Sequence, residues 1–170
     1  MKIFTDILSG DELLSDSFEP VLVDEVMWEA DCAMITEGKV EVNTGANASA
    51  EEAAEDLDDT EVKVNNIVHS FRLQNTSFDK KSYQVHLKDY FKAIKGKLTE
   101  AGKSEDEIKA WQSKAQKYFV AKLGPNFKDL DFYTGESMDP EAMVVLLNYR
   151  EDGVTPYVMV WDAGVKLQKV

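Results

Sequence analysis

The chain has 170 residues and 44% apolar content, which suits one ordinary domain with a buried core and excludes a wholly disordered chain. Its 32 acidic residues against 19 lysines and arginines give a formal charge of −13, which repels phosphate backbones and anionic lipids. Nucleic acids and membranes are therefore poor partners, although an acidic balance by itself usually serves only solubility.

The sequence favours a cytoplasmic location. Charged residues follow directly after Met1, where a secretory signal needs an apolar stretch. No apolar run approaches the length of a membrane-spanning helix, about 18 residues. Cys32 is the only cysteine, so no internal disulfide can form, which agrees with a reducing compartment.

Short runs rich in branched and aromatic residues predict β-strands. They lie at 2–7, 21–26, 27–35, 67–73, 130–134, 143–149 and 156–161. Asp152–Gly153, between the last two runs, supplies the positive φ that a tight hairpin turn needs, so we expect those two runs to pair.

An acid-rich stretch interrupts the predicted strands. From Thr36 to Asn66 there are nine acids, two lysines and no aromatic residue, and seven of the acids lie between Glu51 and Glu61. Such a segment cannot bury enough apolar surface to offset the entropy of ordering it. This composition predicts a mobile acidic loop at about 38–64.

The basic block that follows has the clearest helical pattern. Apolar residues recur at spacings of three and four along two segments, Tyr83–Leu98 and Ile108–Leu123. Between them, Gly102 tolerates a left-handed helix stop, and Ser104 begins a capping-box pattern. Together these features predict an amphipathic helical hairpin over about 80–124.

Helices and strands are segregated along the chain rather than alternating, which favours the α+β class. We expect a single domain over residues 1–170 with a mainly antiparallel sheet. The helical hairpin and the mobile acidic loop are insertions in that domain.

Catalysis finds little support in the sequence. The available groups are His69 in a predicted strand, His86 on the predicted polar side of a helix, and the Cys32 thiol. Neither histidine sits in a recognisable catalytic motif, and nothing places a carboxylate beside His69. There is also no Gly-rich phosphate loop, nucleophile elbow or His-Glu-x-x-His motif. Two histidines and one cysteine also cannot supply the usual four ligands of a structural zinc ion. We therefore expect no enzyme and no tightly bound cofactor.

Weak Ca²⁺ binding is the cofactor interaction that composition leaves open. Calcium takes about six to eight oxygen ligands, which clustered carboxylates can supply. Asp56–Asp58 and Asp129–Asp131 begin like EF-hand loops, but Glu61 and Thr134 stand where such a loop needs glycine. A preformed EF-hand is thereby excluded, the metal ligands stay unknown, and plainly solvated carboxylates are the alternative.

The predicted hairpin carries a charge opposite to that of the rest of the chain. Lys80–Lys122 holds eleven lysines against five acids, or +6, which leaves eight basic and 27 acidic residues, or −19, elsewhere. Lysines spaced along a helix suit the acidic surface of tubulin and microtubules through fast, salt-sensitive association, although such residues often serve only solubility. The candidate tubulin-binding residues are Lys88, Lys92, Lys95, Lys109 and Lys117.

A candidate phosphorylation site lies in the predicted acidic loop. Ser49 and Glu52 form a Ser-x-x-Glu pattern that an acid-directed kinase can use, although so short a motif often arises by chance. A phosphate there would add negative charge to an already acidic segment.

Several stretches resemble the translationally controlled tumour protein family. Gly45–Glu51 is similar to its first signature and Phe132–Met138 to its second. Gly10–Phe18 and Tyr149–Tyr157 are similar as well, so the likeness extends over essentially the whole chain. The resemblance implies a tent-like β domain with an inserted helical hairpin and a disordered acidic loop.

The same resemblance implies binding functions rather than catalysis. It implies calcium binding without an EF-hand, microtubule association through the hairpin, and roles in growth and survival. As an alternative, it implies a regulator or nucleotide-free chaperone of a Ras-like small GTPase, for which the family's glutamates fall on Glu12 and Glu136. A carboxylate bonded locally at a strand end is the plain interpretation of Glu136.

Overall fold

The computed structural model describes residues 1–37 and 62–169. Most of the predicted acidic loop, with Ser49 and Asp56–Asp58, lies outside the described residues. Within the two described ranges, no helix is both long enough and apolar enough to cross a membrane.

The helices of the described residues lie mainly in one stretch of the chain. α1 spans Asn66–Ser70, α2 spans Lys80–Glu100 and α3 spans Glu105–Tyr118. A π-helical turn, Phe119–Leu123, continues α3. Short 3₁₀ turns lie at Asp16–Phe18, Phe127–Asp129 and Asp162–Gly164.

The strands are short and alternate with turns on both sides of the helical stretch. In chain order they are β1 Lys2–Asp6, β2 Glu12–Ser15, β3 Val21–Val23, β4 Met27–Asp31, β5 Met34–Glu37, β6 Val62–Asn65, β7 Gln74–Thr76, β8 Asp131–Thr134, β9 Val145–Tyr149, β10 Pro156–Trp161 and β11 Val165–Lys169.

All pairings between the described strands are antiparallel. Six strands form one sheet in the order β3-β4-β10-β9-β8-β7, and three form a second in the order β11-β1-β2. β5 and β6 form a separate two-stranded ribbon. The predicted α+β fold, with antiparallel sheets and an inserted helical hairpin, is confirmed.

Side-chain caps delimit the helical hairpin formed by α2 and α3. At its start, the Asp79 carboxylate accepts a hydrogen bond from the Ser82 amide at 2.7 Å, and Ser82 Oγ accepts one from the Asp79 amide at 3.0 Å. Gly102, at φ 91°, supplies the predicted left-handed stop. Ser104 caps α3 by accepting from the Glu107 amide at 3.2 Å. The N-cap predicted at Ser104 is confirmed, while the reciprocal capping box forms at Asp79.

Aromatic rings pack the helical hairpin onto the six-stranded sheet. Trp161, at the end of β10, is almost fully buried and contacts the rings of Phe91, Trp111 and Tyr118 at centroid distances of 5.3, 6.0 and 6.0 Å. Its indole N–H donates a hydrogen bond to the Tyr83 hydroxyl at 3.4 Å. Each edge-to-face ring pair contributes about 0.5–1.5 kcal/mol beyond the apolar area that it buries. One side chain of the sheet thus holds both helices.

A second contact joins the first strand, the hairpin and the turn before β11. The buried Asp6 carboxylate accepts hydrogen bonds from the amides of Leu8 and Met143 at 2.8 and 2.9 Å. Tyr90 of α2 donates its hydroxyl hydrogen to the Met143 sulfur at 3.3 Å and lies against Gly164. A Cβ at Gly164 would stand 1.9 Å from Tyr90 Oη, so only glycine lets α2 approach this turn so closely.

The structure corrects the prediction for residues 67–73. They were predicted to form a strand, but Asn66–Ser70 is helix α1. The reason is local, because Asn65 Oδ1 accepts hydrogen bonds from the Ile67 and Val68 amides and so starts a helical turn. His69 therefore lies in a helix.

The C-terminal boundary predicted for the acidic loop, residue 64, is also wrong. Residues 62–64 belong to β6, which pairs with β5 from Glu37 opposite Val62 onward. Pairing with a strand on the other side of the acidic segment overrides the composition of this short stretch. The same cause explains why β7 and β11 were missed, because each is short and gains its stability from a partner distant in sequence. The short strand β2 was missed as well, although its partner is the neighbouring β1.

We expect Gly164→Ala to lower the free energy of unfolding by about 3 kcal/mol, because a methyl group there overpacks against a buried ring. Adding Tyr90→Phe removes the oxygen nearest to the new Cβ, so the double variant should regain part of that loss. Urea unfolding of the wild type, both single variants and the double variant measures the coupling. Strictly additive losses would show that Tyr90 and Gly164 do not constrain each other.

Candidate functional site

A groove of about 540 Å³ runs between α2 and α3, and we call it the hairpin groove. Leu87 and Phe91 of α2 line it together with Ala115 and Phe119 from the other side. Leu87, Ala115 and Phe119 are buried, so they form an apolar floor. Exposed lysines spaced four and three residues apart stand along the α2 wall, and they are Lys88, Lys92 and Lys95.

Ion pairs divide the predicted tubulin-binding lysines into two groups. Lys109 pairs with Glu105 at 3.3 Å along α3. The three groove lysines and Lys117 have no carboxylate of the described residues within salt-bridge distance. Three of these unpaired lysines therefore lie on the groove wall and Lys117 lies outside it, whereas Lys109 is partly neutralised.

Other hairpin lysines are neutralised by the turn between β3 and β4. Lys114 forms an ion pair with Glu25, and Lys122 lies 3.3 Å from Asp24. Asp24 and Glu25 have positive φ values of 53° and 63° and belong to the three residues that connect Val23 with its strand partner Met27. The predicted separation between a basic hairpin and an acidic remainder is thus incomplete, because lysines beside the sheet have acidic partners.

The two candidate GTPase-binding glutamates lie on segments that Asp11 holds together. Glu12 is exposed at the start of β2. The Asp11 carboxylate accepts hydrogen bonds from the Ser137 amide at 3.2 Å and the Ser137 hydroxyl at 2.6 Å. A Cβ at Gly135 would stand 2.3 Å from Asp11 Oδ2, so this close approach requires glycine. Asp11 thereby brings the turn that carries Glu136 to the start of β2.

Glu136 also has a partner within the chain. Its Oε1 lies 3.0 Å from Arg72 Nη1, and the side chains of Arg72 and Glu136 are 73% and 58% exposed. An ion pair this exposed contributes about 0–1 kcal/mol. Glu136 is therefore a locally bonded carboxylate in the free protein, held weakly enough to exchange Arg72 for a basic group of a partner.

Cys32 and His69, two of the side chains considered for catalysis, lie in different environments. The Cys32 thiol is buried and donates a weak hydrogen bond to the Ala30 carbonyl at 3.8 Å. Burial raises the pKa of Cys32, which disfavours the nucleophilic thiolate. His69 is exposed in α1. In the part of the chain that the structure describes, no three His, Cys, Asp or Glu side chains are grouped to hold a metal ion.

His86 was predicted on the polar side of its helix, and the structure corrects this. The imidazole is half-buried among the rings of Phe78, Tyr83 and Tyr90, at centroid distances of 5.4, 6.1 and 5.6 Å. Phe78 precedes α2, and its ring covers this part of the helix, which helical periodicity does not reveal. Burial lowers the pKa of His86, while Asp89 opposes that change. His86 is therefore a packing residue in a neutral state.

Sequence reasoning missed a network centred on Arg150. The guanidinium donates to Glu29 at 2.7 Å and to Asp31 at 2.8 Å, and it stacks on the Tyr157 ring at 3.8 Å. The second oxygen of Glu29 accepts from the Tyr118 hydroxyl at 3.0 Å. Burial, and then the Glu29 carboxylate, raises the pKa of Tyr118 far above its usual range, so Tyr118 remains a neutral donor. Only the register of β4 and β10, which sets Tyr157 opposite Asp31, could have indicated this network.

Comparison with known proteins decides the family. The family model described as translationally controlled tumour protein matches residues 1–166. The chain belongs to this family. Homologues from Gibberella zeae and Neurospora crassa, named translationally-controlled tumor protein homolog, are 65% and 59% identical over 170 residues, with 100% of each chain covered.

Two solved structures of the family share the fold. A translationally controlled tumor-associated protein from Schizosaccharomyces pombe is 48% identical at a TM-score of 0.81, with 100% of both chains covered. The translationally-controlled tumor protein of Caenorhabditis elegans is 28% identical at a TM-score of 0.70, with 100% of this chain and 99% of that chain covered. The resemblance seen in the signature stretches is thus confirmed over the full length.

The state of His86 makes the stability of the fold pH-dependent. Because its pKa is lower in the folded than in the unfolded chain, the unfolded chain binds more protons as the pH falls below about 6.5. The stability that neutral His86 gives the folded chain is therefore fully present above about pH 6.5 and is lost as the pH falls toward 5. We expect His86→Phe to remove this loss and to be at least as stable as the wild type at pH 7, since His86 Nε2 has no hydrogen-bond partner among the described residues.

Urea unfolding of the wild type and His86→Phe at pH 7, 6 and 5 measures the difference. Replacing His69, which is exposed, with phenylalanine provides the matched control for the substitution itself. An equal acid sensitivity of wild type and His86→Phe would show that His86 is not the responsible group.

Proposed function

We propose that the protein is a non-enzymatic interaction protein that binds microtubules through the lysines of the hairpin groove. The observation that carries this proposal is the concentration of unneutralised charge on one wall, where Lys88, Lys92 and Lys95 lie side by side on α2. The chain as a whole is acidic, so attraction of an acidic partner depends on local clusters of lysines such as this one. Charge complementarity of this kind speeds encounter and fixes orientation.

The lysines of α2 offer a direct test. We expect the triple variant Lys88→Glu, Lys92→Glu, Lys95→Glu to lose microtubule cosedimentation by at least about tenfold in affinity, because each reversal replaces attraction to an acidic surface with repulsion. The wild-type interaction should also weaken as ionic strength rises, since exposed charges are screened over about 8 Å at 0.15 M salt.

A control triple separates position from net charge. Lys128→Glu, Lys166→Glu and Lys169→Glu change the total charge by the same amount at exposed sites outside the hairpin. Cosedimentation of this control should stay within about twofold of the wild type, because screening limits the influence of distant charges. Equal losses in the two triple variants would reject the hairpin groove as the binding surface.

The alternative function is regulation of a Ras-like small GTPase. The hydrogen bonds between Asp11 and Ser137 are the observation that favours this alternative. We propose that Glu12 and Glu136 form one acidic edge that meets basic groups of the nucleotide-free GTPase. Support comes from Asp11, which joins the segments carrying both glutamates, and from the weak pair between Glu136 and Arg72. Such an exposed carboxylate can change partners at little cost.

Release of fluorescent GDP from Ras-subfamily GTPases tests this alternative. Wild-type protein should accelerate release, and Glu12→Ala or Glu136→Ala should slow it toward the intrinsic rate, because each variant removes one carboxylate from the edge. Arg72→Ala is the informative companion, since it frees Glu136 without removing it and should keep or increase the acceleration. Intrinsic release rates with wild-type protein would reject the function.

Weak calcium binding, a cytoplasmic location and roles in growth remain predictions. Because the described residues assemble no metal site, calorimetric titration of Ca²⁺ into the full chain is the appropriate measurement for calcium.

A further inference from the structure

The hairpin groove combines an apolar floor with a basic wall, which a merely solubilising surface does not need. Its floor consists of Leu87, Ala115 and Phe119, and Phe91 lies half-buried beside them. We call the space over Leu87, Phe91 and Phe119 the recess, and the fully buried Ala115 lies beneath it. A charged partner alone would not use this recess, whereas a partner with apolar side chains would.

The two walls of the groove differ in charge. Lysines at positions 88, 92 and 95 stand on the α2 wall, while Gln112 and Gln116 stand on the α3 wall. Among the described residues that line the groove, none carries a carboxylate. An occupant with glutamates or aspartates toward α2 would therefore find basic partners there. The glutamine amides on the other side can donate hydrogen bonds to its polar atoms or accept them.

We propose that the hairpin groove binds an acidic, amphipathic helical segment of a partner protein, with leucine-like side chains in the recess and carboxylates against the three lysines. The inference rests on the proposed function for its choice of surface, and it adds the chemistry of the segment that is recognised. Helices commonly dock their apolar face into grooves of this kind through residues at i, i+4 and i+7.

The length of the groove agrees with this occupant. Its lining residues on α2 run from Gln84 to Lys95, a rise of about 16 Å at 1.5 Å per residue. A docked helix of about eleven residues, or three turns, has the same length. Such a helix places three apolar residues on the floor and keeps its acidic residues at the rim.

A designed peptide provides a probe that does not depend on tubulin. It is a fluorescein-labelled, alanine-based helix of about fifteen residues with three leucines at helical spacing and glutamates flanking them on one side. Fluorescence anisotropy should show binding to the wild-type protein that weakens with salt. A second peptide with serine in place of leucine should bind at least about tenfold more weakly, because it cannot fill the recess.

Two variants of the protein test the two walls. Lys88→Glu, Lys92→Glu, Lys95→Glu should weaken binding of the leucine peptide by at least about tenfold. Gln116→Trp leaves the charge unchanged and adds a large ring over the recess, so it should weaken the leucine peptide and leave the serine peptide unchanged. Circular dichroism of each variant confirms that it is folded.

A control triple on the same hairpin separates the groove from general basicity. Lys80, Lys81 and Lys97 are exposed but do not line the groove. Their replacement by glutamate should reduce peptide affinity by no more than about twofold. Equal affinity for the leucine and serine peptides, equal loss in the two triple variants, or no binding of the leucine peptide would overturn the inference.

The same variants separate this inference from the microtubule proposal. If the Gln116→Trp variant still binds microtubules and the leucine peptide does not bind, the proposed function stands. The apolar recess then has no part in that function. Peptide binding with the expected losses and no microtubule binding supports the groove and rejects tubulin as its partner.

Discussion

The contact of Trp161 with both helices is the constraint on which the rest of the structure depends. A single indole from β10 meets Phe91 on α2 and Trp111 and Tyr118 on α3, so neither helix can shift along the sheet without opening a void in the core. Tyr90 against Gly164 adds a second point of fixation on α2. The helical hairpin is therefore rigidly placed, and its apolar residues are divided between the face toward the sheet and the floor of the groove.

This docking also decides which lysines remain charged and accessible. Lys114 and Lys122 meet the acidic turn between β3 and β4 because α3 is held beside that turn. Within residues 1–37 and 62–169, by contrast, no carboxylate forms an ion pair with the lysines of the α2 wall of the hairpin groove. The asymmetry evident in the sequence as two blocks of opposite sign becomes, in the folded chain, a groove wall with three lysines on a molecule whose net charge is negative.

Local signals in the sequence predicted the parts of the molecule that local physics determines. The periodicity of α2 and α3, the stop at Gly102 and the N-cap at Ser104 depend on neighbours a few residues away, and all are present. What depends on distant strands was missed, including β6 and the contact of Asp11 with Ser137 across 126 residues. His86 belongs to the same class, since the ring of Phe78 buries a face that periodicity assigned to solvent.

Two carboxylates paired with arginine show why the surroundings of an ion pair decide its role. Glu29 is 11% exposed and binds both Arg150 and Tyr118, so breaking its pair would leave a buried charge without compensation. Glu136 is 58% exposed and pairs with Arg72, which is itself 73% exposed, so water or a partner can replace that pair at little cost. The first network therefore fastens α3 to the sheet. The second leaves the Glu136 carboxylate exposed on the turn that Asp11 joins to the start of β2. The same chemistry thus stabilises the fold at one site and leaves a group available for binding at the other.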